Sequence, residues 1–194
     1  MLPDSFTFAP LKRRLVEAVF SGGHITSDAG VLLLREIDSQ QGLTQQLCEQ
    51  LDDQRQEGKV KHELIDLLRQ RIYSIACGYE DLNDHDTLKD DLSFQTALNR
   101  VTPLASRSTL GRFEQQADRQ SVVKAHRVMW ERFIAAYRKP PKRIILDFDA
   151  TDIPVHGKQE GRFFHGYYDH YCFLPPVCFQ RSSSTGQLSP AQQH

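Results

Sequence analysis

The sequence predicts an α+β protein in which a helical N-terminal region is followed by strands. Apolar residues recur at helical spacing from about Ser27 to about Tyr137, and the alternation typical of strands begins only after Pro140. The 194 residues are 39% hydrophobic. They contain no apolar run near the roughly 18–20 residues that would span a bilayer. Membrane proteins and fully disordered chains are therefore excluded.

Two helices are predicted in the first half of the chain from their caps and apolar faces. Ser27 or Asp28 is expected to cap the first helix, and Gly42 to stop it. The second runs from His62 to Cys77, with Gly78 at its C′ position. The residues expected to face the core are Val31, Leu32, Leu34, Arg35 and Ile37, then Leu64, Leu67, Leu68, Ile72, Ile75 and Ala76.

An acidic segment over residues 78–91 holds six carboxylates and one lysine. It lacks the glycine and the closing glutamate that a calcium-binding loop requires, which weighs against a metal site there. The favoured interpretation is a turn between helices, in which Asp84 or Asp86 accepts hydrogen bonds from backbone N–H groups.

Residues 106–117 and 121–137 are expected to form two helices joined by a tight turn. Such a pair is either a plain packing unit or a helix-turn-helix that reads DNA. In the second case the residues offered to phosphates or bases are Arg107, Ser108, Thr109 and Arg112. The second helix is expected to turn Val122, Val123, Val128, Met129, Phe133 and Ile134 inward.

The charge balance allows DNA contact only where cations cluster. Lys and Arg number 24 against 25 Asp and Glu, which gives a formal net charge of -1. A uniformly basic surface is therefore excluded. One cluster is the run 138–143, a stiff basic linker with two prolines. Its cations are Arg138, Lys139, Lys142 and Arg143.

Residues 143–152 predict a strand that carries acids. Because side chains alternate with period two, Ile145, Asp147 and Asp149 share one face. Burying a carboxylate is costly unless it has a partner or a cation, so acids at the end of an apolar strand favour a metal site. The alternative is that the strand ends at Phe148 and Asp149 merely opens a turn.

The start of the chain lacks the apolar core and cleavage site of a signal peptide, so a cytoplasmic protein is expected.

Four widely spaced cysteines are expected to be reduced thiols: Cys48, Cys77, Cys172 and Cys178. A zinc site of His165, His170, Cys172 and Cys178 is a further hypothesis. Their spacing matches no Cys-x2-Cys knuckle, which favours ordinary strand and hairpin residues instead.

Five ordered segments of the chain resemble bacterial insertion-sequence transposases. They are SGGHITSDAGVLLLREID (21–38), GYEDLNDHDTLKDD (78–91), SRSTLGRFE (106–114), LDFDATDIPVHGKQEG (146–161) and FHGYYDHYCFLP (164–175). The sequence is most similar to the insertion-sequence-1380 family, whose catalytic part is the transposase DDE domain, group 1. The resemblance runs from about Phe6 to about Pro175.

This resemblance implies a ribonuclease-H-like fold in which two aspartates and a glutamate hold two Mg2+ or Mn2+ ions for in-line phosphoryl transfer. Asp149, in the Asp-Ala-Thr motif, matches the first acid and is the expected catalytic residue and metal ligand. Asp147 and Asp152 are the second candidates. The implied organisation is a helical DNA-binding region over 1–140, the start of a truncated catalytic domain over 141–179 and an unstructured, divergent tail over 180–194.

The other two acids find no match, since neither Glu160 nor Asp169 occupies a triad position. The polar tail resembles the product of a frameshifted reading frame. The expectation is thus an N-terminal transposase fragment, inactive alone, that binds double-stranded DNA at the terminal repeats of the element and takes no small-molecule substrate. One alternative is a DNA-binding module that regulates the intact transposase. The other is an unrelated helical protein with a structural zinc or no ligand.

Overall fold

The computed structural model describes residues 5–19, 21 and 26–181, and it gives only the backbone of Glu57, Asp149 and residues 176–181. The chain divides into two compact units, Met1–Trp130 and Glu131–His194. Helices and strands are mixed, which is compatible with the predicted α+β class. None of the helices in the described ranges is long and apolar enough to cross a membrane.

The first unit contains a β-hairpin near its start, which the predicted helical region over 1–140 did not include. Strands β1 (Ser5–Leu11) and β2 (Arg14–Val19) pair antiparallel. Phe8 and Val16 are cross-strand partners, and both pack against the helical core. The two-residue loop is Lys12-Arg13, which lacks the Asn-Gly or Asp-Gly signature that would have marked the hairpin in the sequence.

Helices dominate residues 31–135. They are α1 (Val31–Gln41), α2 (Leu43–Cys48), α3 (Leu64–Ala76), α4 (His85–Leu88), α5 (Leu92–Ala97), α6 (Arg107–Gln115) and α7 (Arg119–Ala135). Short 3-10 turns lie at Glu57–Lys59 and Leu82–Asp84. The helices predicted to start near residues 62, 106 and 121 are confirmed as α3, α6 and α7.

The predicted helix stops are confirmed, but the first predicted cap is wrong. Gly42 ends α1 in the left-handed conformation with a φ of 67°. Gly78 follows α3 with a φ of 93°, and its N–H donates to the carbonyl of Ile75. The residue that caps α1 is Gly30 rather than Ser27 or Asp28. The Asp28 carboxylate instead accepts the hydroxyl of Tyr79 at 3.1 Å.

Two buried clusters form the core of the first unit. The larger contains Val31, Leu32, Tyr73, Leu88, Phe94, Ala97, Leu98 and Leu104, and the smaller Leu67, Ala105 and Leu110. The inward face predicted for α7 is wrong, because only Val128 of that set is buried. At 100° per residue the predicted set spans roughly 240° of the helix circumference, which is too wide for one neighbouring surface to cover.

Polar side chains of α3 are buried where apolar ones were expected. Ile75 and Ala76 are exposed, whereas Gln70 and Ser74 are buried and contact His85 of α4. The Gln70 amide donates to His85 Nδ1 at 3.1 Å and to the Ala105 carbonyl at 2.9 Å. His85 Nε2 lies 3.2 Å from the Ser74 hydroxyl. Because an amide N–H can only donate, this arrangement requires a neutral His85 that carries its proton on Nε2.

The second unit contains two small antiparallel sheets. Strand β3 (Ile145–Ala150) pairs with β7 (Pro176–Arg181). Strands β4 (Ile153–Pro154), β6 (His170–Phe173) and β5 (Phe163–His165) form the other sheet in that order. The strand predicted over 143–152 is confirmed as β3, and it continues past Phe148, so the alternative end at that residue is wrong.

The end of the chain was predicted as an unstructured tail from residue 180. Residues 180 and 181 complete strand β7 instead, and they pair with Leu146 and Ile145. Residues 182–194 lie outside the described residues.

Candidate functional site

Helix α6 carries the residues that the sequence offered to DNA. Arg107 and Ser108 are exposed in its first turn, Thr109 is half-buried, and Arg112 is exposed one turn further on. Arg107 is held by neighbours, because its Nε lies 3.0 Å from an Asp86 carboxylate oxygen and its Nη1 donates to Asn83 at 2.6 Å. Within the described part of the chain, the contact of Arg112 is a long one: its Nη2 donates to the Thr109 hydroxyl at 3.4 Å.

A groove of about 760 Å³ lies beside α6 in the first unit. Its walls include the segment around the first 3-10 turn and the groove-facing side of α6. The charged and polar residues that line it are Arg55, Gln56, Lys59, Lys61, His62, Lys89, Asp90, Ser106, Thr109, Arg112 and Gln116, and the apolar ones are Val60, Leu67, Pro103, Leu104 and Phe113. Of the four predicted DNA contacts on α6, Thr109 and Arg112 line this groove.

The groove is strongly cationic although the whole chain is nearly neutral. Three lysines and two arginines line it against the carboxylate of Asp90, and one of these arginines, Arg55, is paired with Asp53 at 2.6 Å. The pKa of His62 is lowered by burial and by the positive charges of Arg100, Lys61 and Arg55. Of these three charges, Lys61 and Arg55 line the groove. Sequence reasoning missed the cations outside α6, whose available signal was the closely spaced Arg55, Lys59 and Lys61.

The second basic feature is the predicted linker, which lies in the second unit. Arg138, Lys139, Lys142 and Arg143 are all exposed, in a segment without helix or strand. They remain available for contact with an anionic partner.

Strand β3 places the three candidate catalytic acids in different surroundings. Asp149 pairs with Val177 through the backbone, one residue before the strand ends, and its side chain lies outside the described residues. Asp147 is half-buried in the middle of the strand. Asp152 follows the strand, as predicted, and its carboxylate lies 3.0 and 3.1 Å from His170 Nε2.

One group of metal-ligating side chains converges within the described residues. Ligand atoms of Asp152, His170 and Cys172 all lie within 4.8 Å of one another. The pKa of the Cys172 thiol is raised by burial and by the neighbouring Asp152. This group differs from the zinc ligands suggested by the sequence: it keeps His170 and Cys172 and adds Asp152. His165 instead packs against the Tyr168 ring, and the Cys178 side chain is outside the described residues.

The acidic segment 78–91 contains a 3-10 turn and the short helix α4 rather than a plain turn, and its capping hydrogen bonds come from other residues than predicted. Asp81 accepts the N–H of Asn83 at 2.8 Å, and Asp91 accepts the N–H of Phe94 at 2.9 Å to cap α5. Asp84 and Asp86, the predicted caps, show no capping hydrogen bond in the described structure. Asp86 pairs with Arg107 instead.

Cations clustered along a groove are the electrostatic footprint of nucleic-acid binding. The model of the family described as Transposase DDE domain group 1 matches residues 8–192, and the chain belongs to this family. The family implies DNA transposition as the function, DNA as the partner and a general use of divalent metal ions. No curated protein and no solved structure matches the chain.

The described side chains do not suit a site for two magnesium ions. Magnesium requires oxygen ligands, and the one convergent group includes a thiol and an imidazole.

Proposed function

We propose that the first unit of this transposase binds double-stranded DNA through the cationic groove beside α6. The observation that carries the proposal is that three lysines and Arg112 line one groove in a chain of net charge -1; Arg55 also lines it, but Asp53 neutralises this arginine. Cations placed along a groove neutralise phosphates and release counterions, which supplies most of the affinity of a protein for DNA. The target within DNA is proposed to be the terminal repeats of an insertion-sequence-1380 element.

Arg112 is the proposed central contact. It is exposed, lines the groove and lies one helical turn from Thr109, whose hydroxyl can donate to a phosphate or a base. Arg107 is proposed to contribute less, because Asp86 already neutralises it and neither Arg107 nor Ser108 lines the groove. The exposed run 138–143 is proposed as a secondary contact to the phosphate backbone.

Catalysis is proposed to involve Asp149, within a ribonuclease-H-like domain that begins with β3. Support comes from the family match and from the position of Asp149 near the end of this strand. Asp147 and Asp152 remain the second candidates. The Asp152 carboxylate lies 3.0 Å from His170 Nε2.

By itself the chain is proposed not to cut DNA, because one acid is too few to hold two catalytic ions. A DNA-binding regulator of the intact transposase is thus the second candidate function. It is supported by the cationic groove of the first unit. Strand-cleavage assays with Mg2+ or Mn2+ are expected to show no product. Metal-dependent cleavage that disappears in Asp149→Ala would contradict this proposal.

The DNA proposal is tested by fluorescence anisotropy with the full chain and a labelled duplex. Arg112→Ala is expected to weaken binding by about tenfold, the lower part of the 1–3 kcal/mol range for a good arginine contact. Arg13→Ala is the matched control, since Arg13 is an exposed arginine of the β1–β2 loop that does not line the groove. Equal affinities of the two variants would contradict the proposed interface.

A further inference from the structure

The sheet of β4, β6 and β5 gathers polar side chains on one of its faces. Cys172 pairs with Pro154 on one side and with Phe163 on the other, and His170 pairs with His165. Because alternate residues of a strand share a face, His170 and Cys172 project from the same side of β6. Asp152 precedes β4 and brings its carboxylate to within 3.0 Å of His170 Nε2.

We propose that Asp152, His170 and Cys172 bind one Zn2+ ion at a site that does not include Asp149. Thiolate, imidazole and carboxylate are the three ligand types that zinc takes in proteins. Zinc–ligand bonds of about 2.0–2.3 Å in a tetrahedron separate the ligand atoms by about 3.3–3.7 Å. The observed group, with all ligand atoms within 4.8 Å, needs only small side-chain adjustments to reach that spacing.

Burial supports this assignment. Cys172 is completely buried, and Asp152 and His170 are half-buried. Among the described residues of the second unit, Cys172 is the one buried residue of the hydrophobic types. The half-buried Asp152 carboxylate lies beside a buried thiol and an imidazole, a set of side chains whose negative charge a bound cation would compensate. A zinc ion would neutralise the group and cross-link β6 to the segment between β3 and β4.

The site has three protein ligands, so its fourth position is open to water or a further ligand. His165 lies opposite His170 in the strand register and contains a buried Nδ1 without a hydrogen-bond partner in the described structure. Its ring packs against Tyr168 with the centroids 4.8 Å apart, so it flanks the three ligands and is not counted among them. The zinc proposal does not depend on the DNA-binding groove or on Asp149.

The test uses the purified full chain under reducing conditions, stripped with a chelator and titrated with Co2+ as a spectroscopic substitute for zinc. One equivalent of Co2+ is expected to give a thiolate charge-transfer band and intense tetrahedral bands, and Zn2+ is expected to displace it. Cys172→Ser should abolish the thiolate band. Cys77→Ser, which alters a thiol of the first unit, should leave it unchanged.

His170→Gln should weaken Co2+ binding by more than about 100-fold, because even outer partners of a metal site cost about 10–100-fold. His126→Gln is the matched control on exposed surface of α7. Since Cys172→Ser could unfold the sheet, Asp152→Asn provides an independent variant that retains an acceptor for His170 but removes the charge. It should also lose most of the affinity. The proposal is overturned if the chain binds no Co2+ at one equivalent, if the bound ion shows no thiolate band, or if Asp152→Asn binds as tightly as the unaltered chain.

Discussion

The two units differ in how far they bury their apolar side chains. In the first unit, helices α1, α3 and α5 bury their apolar residues in a continuous cluster around Phe94. In the second unit, strand residues such as Leu146, Phe148 and Phe164 are more than half exposed. Among the described residues, every buried apolar side chain except Cys172 belongs to the first unit.

This difference shows where the stability of the chain originates. Buried apolar area is the main favourable term in folding, so the first unit is expected to be stable through its own contacts. A two-stranded sheet and a short three-stranded sheet with exposed apolar faces provide much less. The second unit is therefore expected to depend on an additional surface or ligand, and to be the source of any aggregation.

The largest expected effect is the loss of a core side chain in the first unit. Phe94→Ala removes a completely buried ring and should lower the free energy of unfolding by about 3–5 kcal/mol. Phe148→Ala removes the same ring at a site that is 70% exposed, and should change it by less than about 0.5 kcal/mol. Urea unfolding followed by the helical circular dichroism signal measures both. Similar losses would show that the second unit has a core of its own.

A smaller loss is expected from the polar network beneath α3. Gln70→Ala leaves the Ala105 N–H and carbonyl without their partner in a buried position. We expect a loss of about 1–3 kcal/mol, the cost of unsatisfied buried groups. The exposed Gln120→Ala is the control and should have little effect in the same urea experiment.

Acid should destabilise the first unit through His85. Burial and the charge of Arg71 lower the pKa of His85, and the Gln70 amide occupies the nitrogen that would take the second proton. Below a pH of about 6.5 the unfolded chain binds this proton and the folded one does not. The free energy of unfolding should thus be constant above that pH and fall below it, by at most about 1.4 kcal/mol per pH unit for this group.

The pH dependence is checked by urea unfolding at several pH values between neutral and mildly acidic. His85→Gln should be less stable at neutral pH but lose less on acidification. In that variant, His62, whose pKa is lowered mainly by burial, should still make the free energy of unfolding fall as the pH is lowered. The exposed His126→Gln should leave the slope unchanged, and a flat profile for the unaltered chain would contradict a neutral buried His85.

The smallest expected effect concerns the end of α3. Gly78 has a φ of 93°, a conformation that side chains with a Cβ adopt at a cost of about 1–2 kcal/mol. Gly78→Ala should be destabilising by about this amount, although no atom lies within 4 Å of the added Cβ. Gly30→Ala is the control, because Gly30 has an ordinary φ of -57° and equally open space. Equal thermal midpoints would show that α3 ends without strain.

The sequence predicted elements whose signals are local. The helix over α3, its stop at Gly78 and strand β3 follow from periodicity and from one glycine. The hairpin β1–β2 was missed, because pairing over a Lys-Arg loop depends on the core that Phe8 and Val16 join. The burial of Gln70 and Ser74 was missed as well, since only the fold brings His85 and Ala105 to them.

The candidate site was predicted in the same partial way. Arg112 was found because it lies on a recognisable helix. Lys59, Lys61 and Lys89 are distant from it along the chain, and only the fold brings them to one groove. The metal-ligating group was half predicted: His170 and Cys172 were named for their residue types, whereas Asp152 joins them only through the placement of β4 beside β6.

The most direct test of the account is the salt dependence of DNA binding by the full chain, because it locates the phosphate contacts in one of two regions. Each lost phosphate contact should reduce the slope of log K against log salt by about 0.9. Lys59→Gln with Lys61→Gln neutralises the groove, and Lys139→Gln with Lys142→Gln neutralises the linker. We expect the groove pair to flatten the slope by up to about 1.8 and the linker pair to flatten it by less. A linker pair that flattens the slope while the groove pair leaves it unchanged would contradict this expectation.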